Sequence, residues 1–131
     1  KLCLAALSAT LHHYLKDEAE REVPIWRMIA TTPQNCQARA QHWAETLKQG
    51  EVAASFSTVG GGSLPEETLP TFVLAIRTAQ PNKFLAKLRG MHPPVIARVE
   101  AEQVMLDPRT VLPEQEGALL VNLKNAIGIE I

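Results

Sequence analysis

Three groups of residues in this 131-residue chain could do chemistry: a glycine cluster, two arginines beside strand-like segments, and scattered histidines, cysteines and lysines. The cluster is Val59-Gly60-Gly61-Gly62-Ser63-Leu64-Pro65. Clustered glycines let backbone N–H groups converge on an anion. Neither the lysine of a GxxxxGK(S/T) loop nor a GxGxxG before a long helix is present, so the spacing does not support a nucleotide loop. The same residues suit a strand end, with Ser63 capping a single turn and Glu66 three residues on. Such a turn brings backbone close to something.

Arg98 follows the apolar run Pro93-Pro94-Val95-Ile96-Ala97, and Arg109 follows Leu106-Asp107-Pro108. A guanidinium at a fixed strand position can grip a carboxylate or phosphate through two parallel hydrogen bonds. It can equally be a solvent-facing sheet residue or a structural partner of Asp107 or Glu100. His12 and His13 are adjacent, so on a helix they point about 100° apart and cannot chelate one metal. His42 and His92 stand elsewhere, with no Asp or Glu at ligand spacing, and no metal site is expected. Cys3 and Cys36 lie in apolar helical patterns rather than in a CxxC pair, which marks core residues in a reducing cytoplasm rather than nucleophiles. The lysines, Lys1, Lys16, Lys48, Lys83, Lys87 and Lys124, sit mostly in polar helical surroundings that do not suit a Schiff base.

The elements that must position these residues follow from periodicity. Leu4, Leu7, Leu11, Tyr14 and Leu15 recur at helical spacing, and the pattern fades into the charged run from Lys16 to Glu22, the best place for a bend. Pro24 opens a short helix carrying Met28 and Ile29 and stopping at Thr31. Thr32 is a natural N-cap with Pro33 after it. Cys36, Ala40, Trp43 and Leu47 then form a stripe ending at Gly50, which places Trp43 in the core. Beyond Gly50 the period becomes two: Val52, Ala54 and Phe56 oppose Ala53, Ser55 and Ser57 in one strand, and Phe72, Leu74 and Ile76 mark a second. Asn82 can cap a helix closed by Gly90. Val95–Glu100 and Gln103–Leu106 read as a hairpin turning at Ala101-Glu102, and Pro113 opens a last helix with Leu119, Leu120 and Leu123 inside. The fold class is α+β: N-terminal helices, then a mainly antiparallel sheet with helices on one face.

The length suits one domain. The formal net charge is −1, from 13 basic and 14 acidic residues spread along the chain, so any RNA contact must be local. The apolar stretch from Leu2 to Leu11 is about half of a membrane span and carries no signal-peptide features. Lys1 rather than Met stands first and runs directly into a helix, as expected of a piece of a longer protein.

Three blocks in this order resemble the C-terminal end of the bacterial selenocysteine synthase family, the L-seryl-tRNA(Sec) selenium transferases. They are Lys1-Leu2 through Leu4-Ala5-Ala6-Leu7, Ala9-Thr10-Leu11 and Tyr14-Leu15; Val59 through Pro65 with Leu69-Pro70; and Pro94-Val95-Ile96-Ala97-Arg98-Val99 followed by Leu106-Asp107 and Arg109-Thr110-Val111. The resemblance covers essentially the whole chain. It departs from the family at Ala97, where glycine is usual, and at Pro108, where an aliphatic residue is usual.

The resemblance implies a pyridoxal-phosphate enzyme that converts seryl-tRNA(Sec) to selenocysteyl-tRNA(Sec) with selenophosphate. Residues 1–131 would be its C-terminal small domain, of the kind that closes fold-type-I sites, and residues 1–16 a connector from a large domain. The cofactor lysine and the arginines that grip the selenium donor would lie upstream of Lys1, so no catalytic or cofactor-binding residue is expected here and the piece alone should be inactive. Gly60, Gly61, Gly62, Ser63, Arg98 and Arg109 are the substrate-proximal candidates. A cytoplasmic parent forming a large homo-oligomer is implied, with no membrane. Two other readings stand beside this one: the matching domain of a related pyridoxal-phosphate lyase, and an independent α+β module binding protein or RNA.

Overall fold

The computed structural model describes residues 1–60 and 67–128; Gly61, Gly62 and Ser63 of the glycine cluster lie outside the described residues. The chain divides into two compact units, residues 1–31 and the remainder from Thr32.

The first unit is three helices: α1 (Leu2–Leu15), α2 (Ala19–Glu22) and α3 (Pro24–Ala30). The bend expected in the charged run falls at its start, where Asp17 takes the left-handed conformation at φ 53°. One turn of helix follows it. Side chains hold that bend, since His13 Nδ1–H donates to Glu18 at 2.9 Å and Arg21 donates to the same carboxylate at 3.0 Å. Trp26 Nε1–H reaches the Tyr14 hydroxyl at 2.5 Å. The apolar spacing of α1 is as anticipated, yet none of its residues is buried. Cys3 is therefore exposed, not a core residue, because the unit's other helices are too short to cover an apolar stripe of four turns.

The second unit is α4 (Pro33–Leu47), β1 (Glu51–Thr58), β2 (Thr68–Arg77), α5 (Pro81–Arg89), β3 (Arg98–Glu100), β4 (Gln103–Leu106) and α6 (Glu116–Ile127), with 3-10 turns at Pro108–Thr110 and Pro113–Gln115. One antiparallel sheet in the order β1-β2-β4-β3 confirms the α+β class. Thr32 caps α4 by accepting the Asn35 N–H at 3.2 Å. The stripe of α4 is wholly buried, Trp43 and Cys36 included. On one face of the sheet Leu74, Ile76, Val104 and Leu106 meet Trp43, Leu47, Leu88 and Leu123 from the helices. These side chains account for most of the apolar burial that drives folding.

Several boundaries differ from the periodicity. Lys48, not Gly50, ends α4 in the left-handed conformation at φ 51°. Gly50 also has positive φ, 93°, and a Cβ there would meet Leu74 Cδ1 at 2.7 Å, so the chain needs glycine to turn into β1. Asn82 does not cap α5: Gln80 holds the N-cap position, Pro81 is the first helical residue, and Gly90 at the other end is right-handed. The strand expected from Val95 begins only at Arg98; the Val95 N–H donates instead to the Leu88 carbonyl at the end of α5, at 3.0 Å. Ala101 and Glu102 both have positive φ, 47° and 60°, as a two-residue hairpin turn demands.

Candidate functional site

The second face of the sheet carries the polar residues. Antiparallel register sets Ser55 opposite Thr71, Ala53 opposite Val73, Ala75 opposite Met105, and Met105 opposite Arg98. Val73, Ala75 and Met105 form a small buried cluster there. Two side-chain contacts cross this face, one from edge to edge and one from an edge strand to the end of an inner strand. Arg98 Nη2 of β3 donates to Ser55 Oγ of β1 at 2.8 Å, and Ser57 of β1 donates to Asp107, just after β4, at 2.5 Å. The long β1–β2 hairpin, which outruns β4, is therefore curled over the face rather than flat.

Asp107 is the hub of this arrangement. Its buried carboxylate accepts from the Ser57 hydroxyl, from the Thr71 hydroxyl at 3.0 Å and from the Arg109 backbone N–H at 3.0 Å. Its own carbonyl accepts from Thr110 Oγ1 at 2.9 Å, so one residue caps the 3-10 turn and fastens two strands to it. Three donors on one carboxylate satisfy a charge that burial would otherwise penalise. The sequence reading named Asp107 only as a possible partner for an arginine and missed Ser57 and Thr71. The Asp-Pro step, which favours turn initiation, was the one signal available.

The two candidate arginines part company here. Arg109 is 5% exposed, and its Nη2 donates to the Pro70 carbonyl at 2.7 Å. Arg98 is exposed and bound more loosely: besides Ser55 it approaches the Phe56 carbonyl at 3.5 Å and Glu100 at 3.6 Å. Arg98 also lines a groove of about 600 Å³ between the Pro93–Arg98 segment and the start of α6, where Ile96, Ala97 and Leu119 give apolar wall and Thr110 and Gln115 polar wall. Arg98 gives this largely apolar hollow one guanidinium that can donate to a ligand oxygen, while Asp107 and Glu114 in the same lining oppose added negative charge. Gly60 follows the end of β1, and the space a Cβ would fill there is empty to 4 Å. Among the described residues nothing requires glycine at position 60.

Among the described residues no group of three His, Cys, Asp or Glu could hold a metal, and no helix is long and apolar enough to cross a membrane. A Schiff-base lysine needs a desolvated pocket. Lys1, Lys16, Lys48, Lys83 and Lys87 are exposed, Lys124 is half-buried, and the groove beside Arg98 contains no lysine.

The family model for L-seryl-tRNA selenium transferase matches residues 1–112. Relatives of that description include proteins from Maridesulfovibrio salexigens, 40% identical over 126 residues, and Nitratidesulfovibrio vulgaris, 36% identical over 139 aligned positions. A third, from Geobacter sulfurreducens, is 33% identical over 134. The matches cover 88%, 98% and 95% of this chain but 27%, 30% and 29% of the respective relatives. The chain thus spans less than a third of the length of these curated relatives.

Proposed function

The chain belongs to the L-seryl-tRNA selenium transferase family, and from that premise we propose that it is the C-terminal small domain of an enzyme that converts seryl-tRNA(Sec) to selenocysteyl-tRNA(Sec) with selenophosphate. The observation that carries this reading is the coverage: nearly all of this chain matches less than a third of each relative. Pyridoxal phosphate supplies an electron sink for replacing the seryl hydroxyl when it is bound. Since the lysines here do not suit it, its site is assigned to the remainder of the enzyme. The α1 helix is proposed as the connector to that large domain. Its support is the unburied row Leu4, Leu7 and Leu11, apolar surface that a folded unit otherwise hides.

Within this domain Arg98 is the residue proposed to face substrate. It is exposed at the groove's edge, and its bonds to Ser55 and Phe56 are ones an incoming acceptor could replace. The amino acid is esterified to tRNA and has no free carboxylate, so the oxygen offered to Arg98 would be an ester carbonyl or a phosphate of the acceptor end. Arg109 and Asp107 are proposed to hold the frame from which Arg98 projects. Gly60 to Ser63 are proposed to lie at the domain interface near the site's mouth. The parent is proposed to act in the cytoplasm as a homo-oligomer.

The test is selenium transfer in vitro from selenophosphate to seryl-tRNA(Sec). A family-length protein ending in this chain should form selenocysteyl-tRNA, and the 131-residue chain alone should form none and give no borohydride-trappable adduct with pyridoxal phosphate. Transfer by the chain alone, or a stoichiometric trapped adduct, overturns the reading.

A further inference from the structure

We propose that Arg77, Lys83, Lys87 and Lys124 form a basic strip that receives the phosphate backbone of RNA, taken here to be the tRNA of the preceding proposal, on which this inference rests. The chain-wide charge is balanced, but between Glu67 and Glu100 stand Arg77, Lys83, Lys87, Arg89 and Arg98 with no Asp or Glu among them. The fold gathers part of this run. Arg77 borders a hollow with Thr78 and Ala79, and the same two residues border a second hollow with Lys83 and Lys87. Three cations therefore line two adjacent hollows that share Thr78 and Ala79. Lys83 and Lys87 are one helical turn apart on α5, so both ammonium groups project from the same face.

The strip continues onto α6. Lys87 Nζ donates to the Ala126 and Asn125 carbonyls at 2.8 and 3.3 Å, in the same last turn that carries Lys124. An ammonium has three N–H donors, so Lys87 keeps one after serving both carbonyls. None of Arg77, Lys83 or Lys124 takes part in an ion pair among the described residues. Their charge is not consumed within the domain. Glu102, beside Arg77, is the single carboxylate lining either hollow among the described residues.

The chemistry favours a polyanion over other partners. No exposed aromatic or leucine stands among these cations, whereas a protein hot spot or a bilayer surface would use such anchors. Lysines and an arginine spaced along two helices and a strand end, with Val121 and the half-buried Phe84 the apolar side chains beside them, provide contacts to phosphates that position a nucleic acid without reading its bases.

The experiment is fluorescence-anisotropy titration of the 131-residue chain with a tRNA(Sec) transcript from 50 to 200 mM salt. Arg77→Gln, Lys83→Gln and Lys124→Gln are compared singly and together; Lys87 is retained because it holds the end of α6. Four neutralised phosphates give a slope of log affinity on log salt of about −3.6 for the wild type, or about a 150-fold loss across that range. Each substitution should flatten the slope by about one, with circular dichroism unchanged. Identical slopes for wild type and triple variant, or no salt-dependent binding by the wild type, overturn the proposal. So does equal flattening by Lys16→Gln, or equal affinity for phosphatidylserine vesicles lost in the same variants. An active parent whose tRNA affinity ignores these substitutions sinks only the strip; an inactive parent that still binds through them sinks only the function proposed above.

Discussion

The Ser57 hydroxyl donates a 2.5 Å hydrogen bond to the carboxylate of Asp107, fifty residues further along the chain. Thr71 and the Arg109 N–H complete the set of donors, so removing the acceptor strands three polar groups in a buried place. Asp107→Ala should cost roughly 3 kcal/mol or more, since each stranded donor costs about 1–3 kcal/mol. Ser57→Ala leaves the other two bonds intact and should cost about 1 kcal/mol. Urea melts of the two variants check both, and similar losses for the two would show that the carboxylate is not the hub.

Trp43 is fully buried against the sheet, with the Arg39 guanidinium 5.8 Å from its ring centre. Its Nε1–H has no hydrogen-bond partner among the described residues. Trp43→Ala should therefore cost about 3–5 kcal/mol, as other large aromatic truncations do. Trp43→Phe, which gives up volume but no hydrogen bond, should cost less than about half as much. Chemical denaturation measures the ratio, and comparable losses for the two would mean that the indole nitrogen is satisfied in solution.

Gly50 and Gly60 make a controlled pair. At Gly50, φ is 93° and an added methyl would crowd Leu74 and the Ala75 carbonyl at 2.7 and 3.1 Å. Gly50→Ala should cost about 1–3 kcal/mol through strain. At Gly60 the space is open, and Gly60→Ala should change stability by under about 0.5 kcal/mol. If Gly60→Ala nevertheless slows selenium transfer by a family-length protein, the glycine serves something other than the described residues of this chain.

The Glu18 carboxyl sits below its ordinary value of 4.5, chiefly because His13 hydrogen-bonds to it; desolvation opposes this, and the charges of Lys16 and Arg21 add to the lowering. A carboxylate depressed in the folded form stabilises it fully above the unfolded value and loses that contribution as pH falls through the folded one. The window for this group thus lies below about pH 4.5. Backbone chemical shifts of residues 16–22 should move toward unfolded values there in wild type, and Glu18→Gln should lack that acid step. An identical acid limb in the variant would refute the assignment.

Much of this fold is legible in order along the chain. Thr32-Pro33 and the Cys36, Ala40, Trp43 and Leu47 stripe define α4 because a cap and a 3.6-residue period are local signals. The β3–β4 turn is legible for the same reason. Phe56 is the instructive failure. Alternation puts it on one face with Val52 and Ala54 without saying which face is covered, and it is largely exposed while Ser57 on the other face is buried and anchored by Asp107. That partner lies far outside any local window. Arg98 and Arg109 look equivalent in sequence, and only the 3-10 turn after Asp107 buries one and leaves the other at the groove. The apolar face of α1 is readable as a pattern, but a pattern does not name its partner.

The same hub orders events in time. The β1–β2 hairpin pairs strands that are neighbours in the chain and sets Ser57 and Thr71 on one face, whereas Asp107 comes from 50 and 36 residues away. Contacts of such sequence separation carry the loop-closure entropy of the intervening chain and form late. Substitutions at Asp107 should therefore act mainly on the unfolding limb of a chevron, leaving the refolding rate close to that of wild type. The domain's kinetic lifetime rests on a latch that closes last and, by microscopic reversibility, opens first.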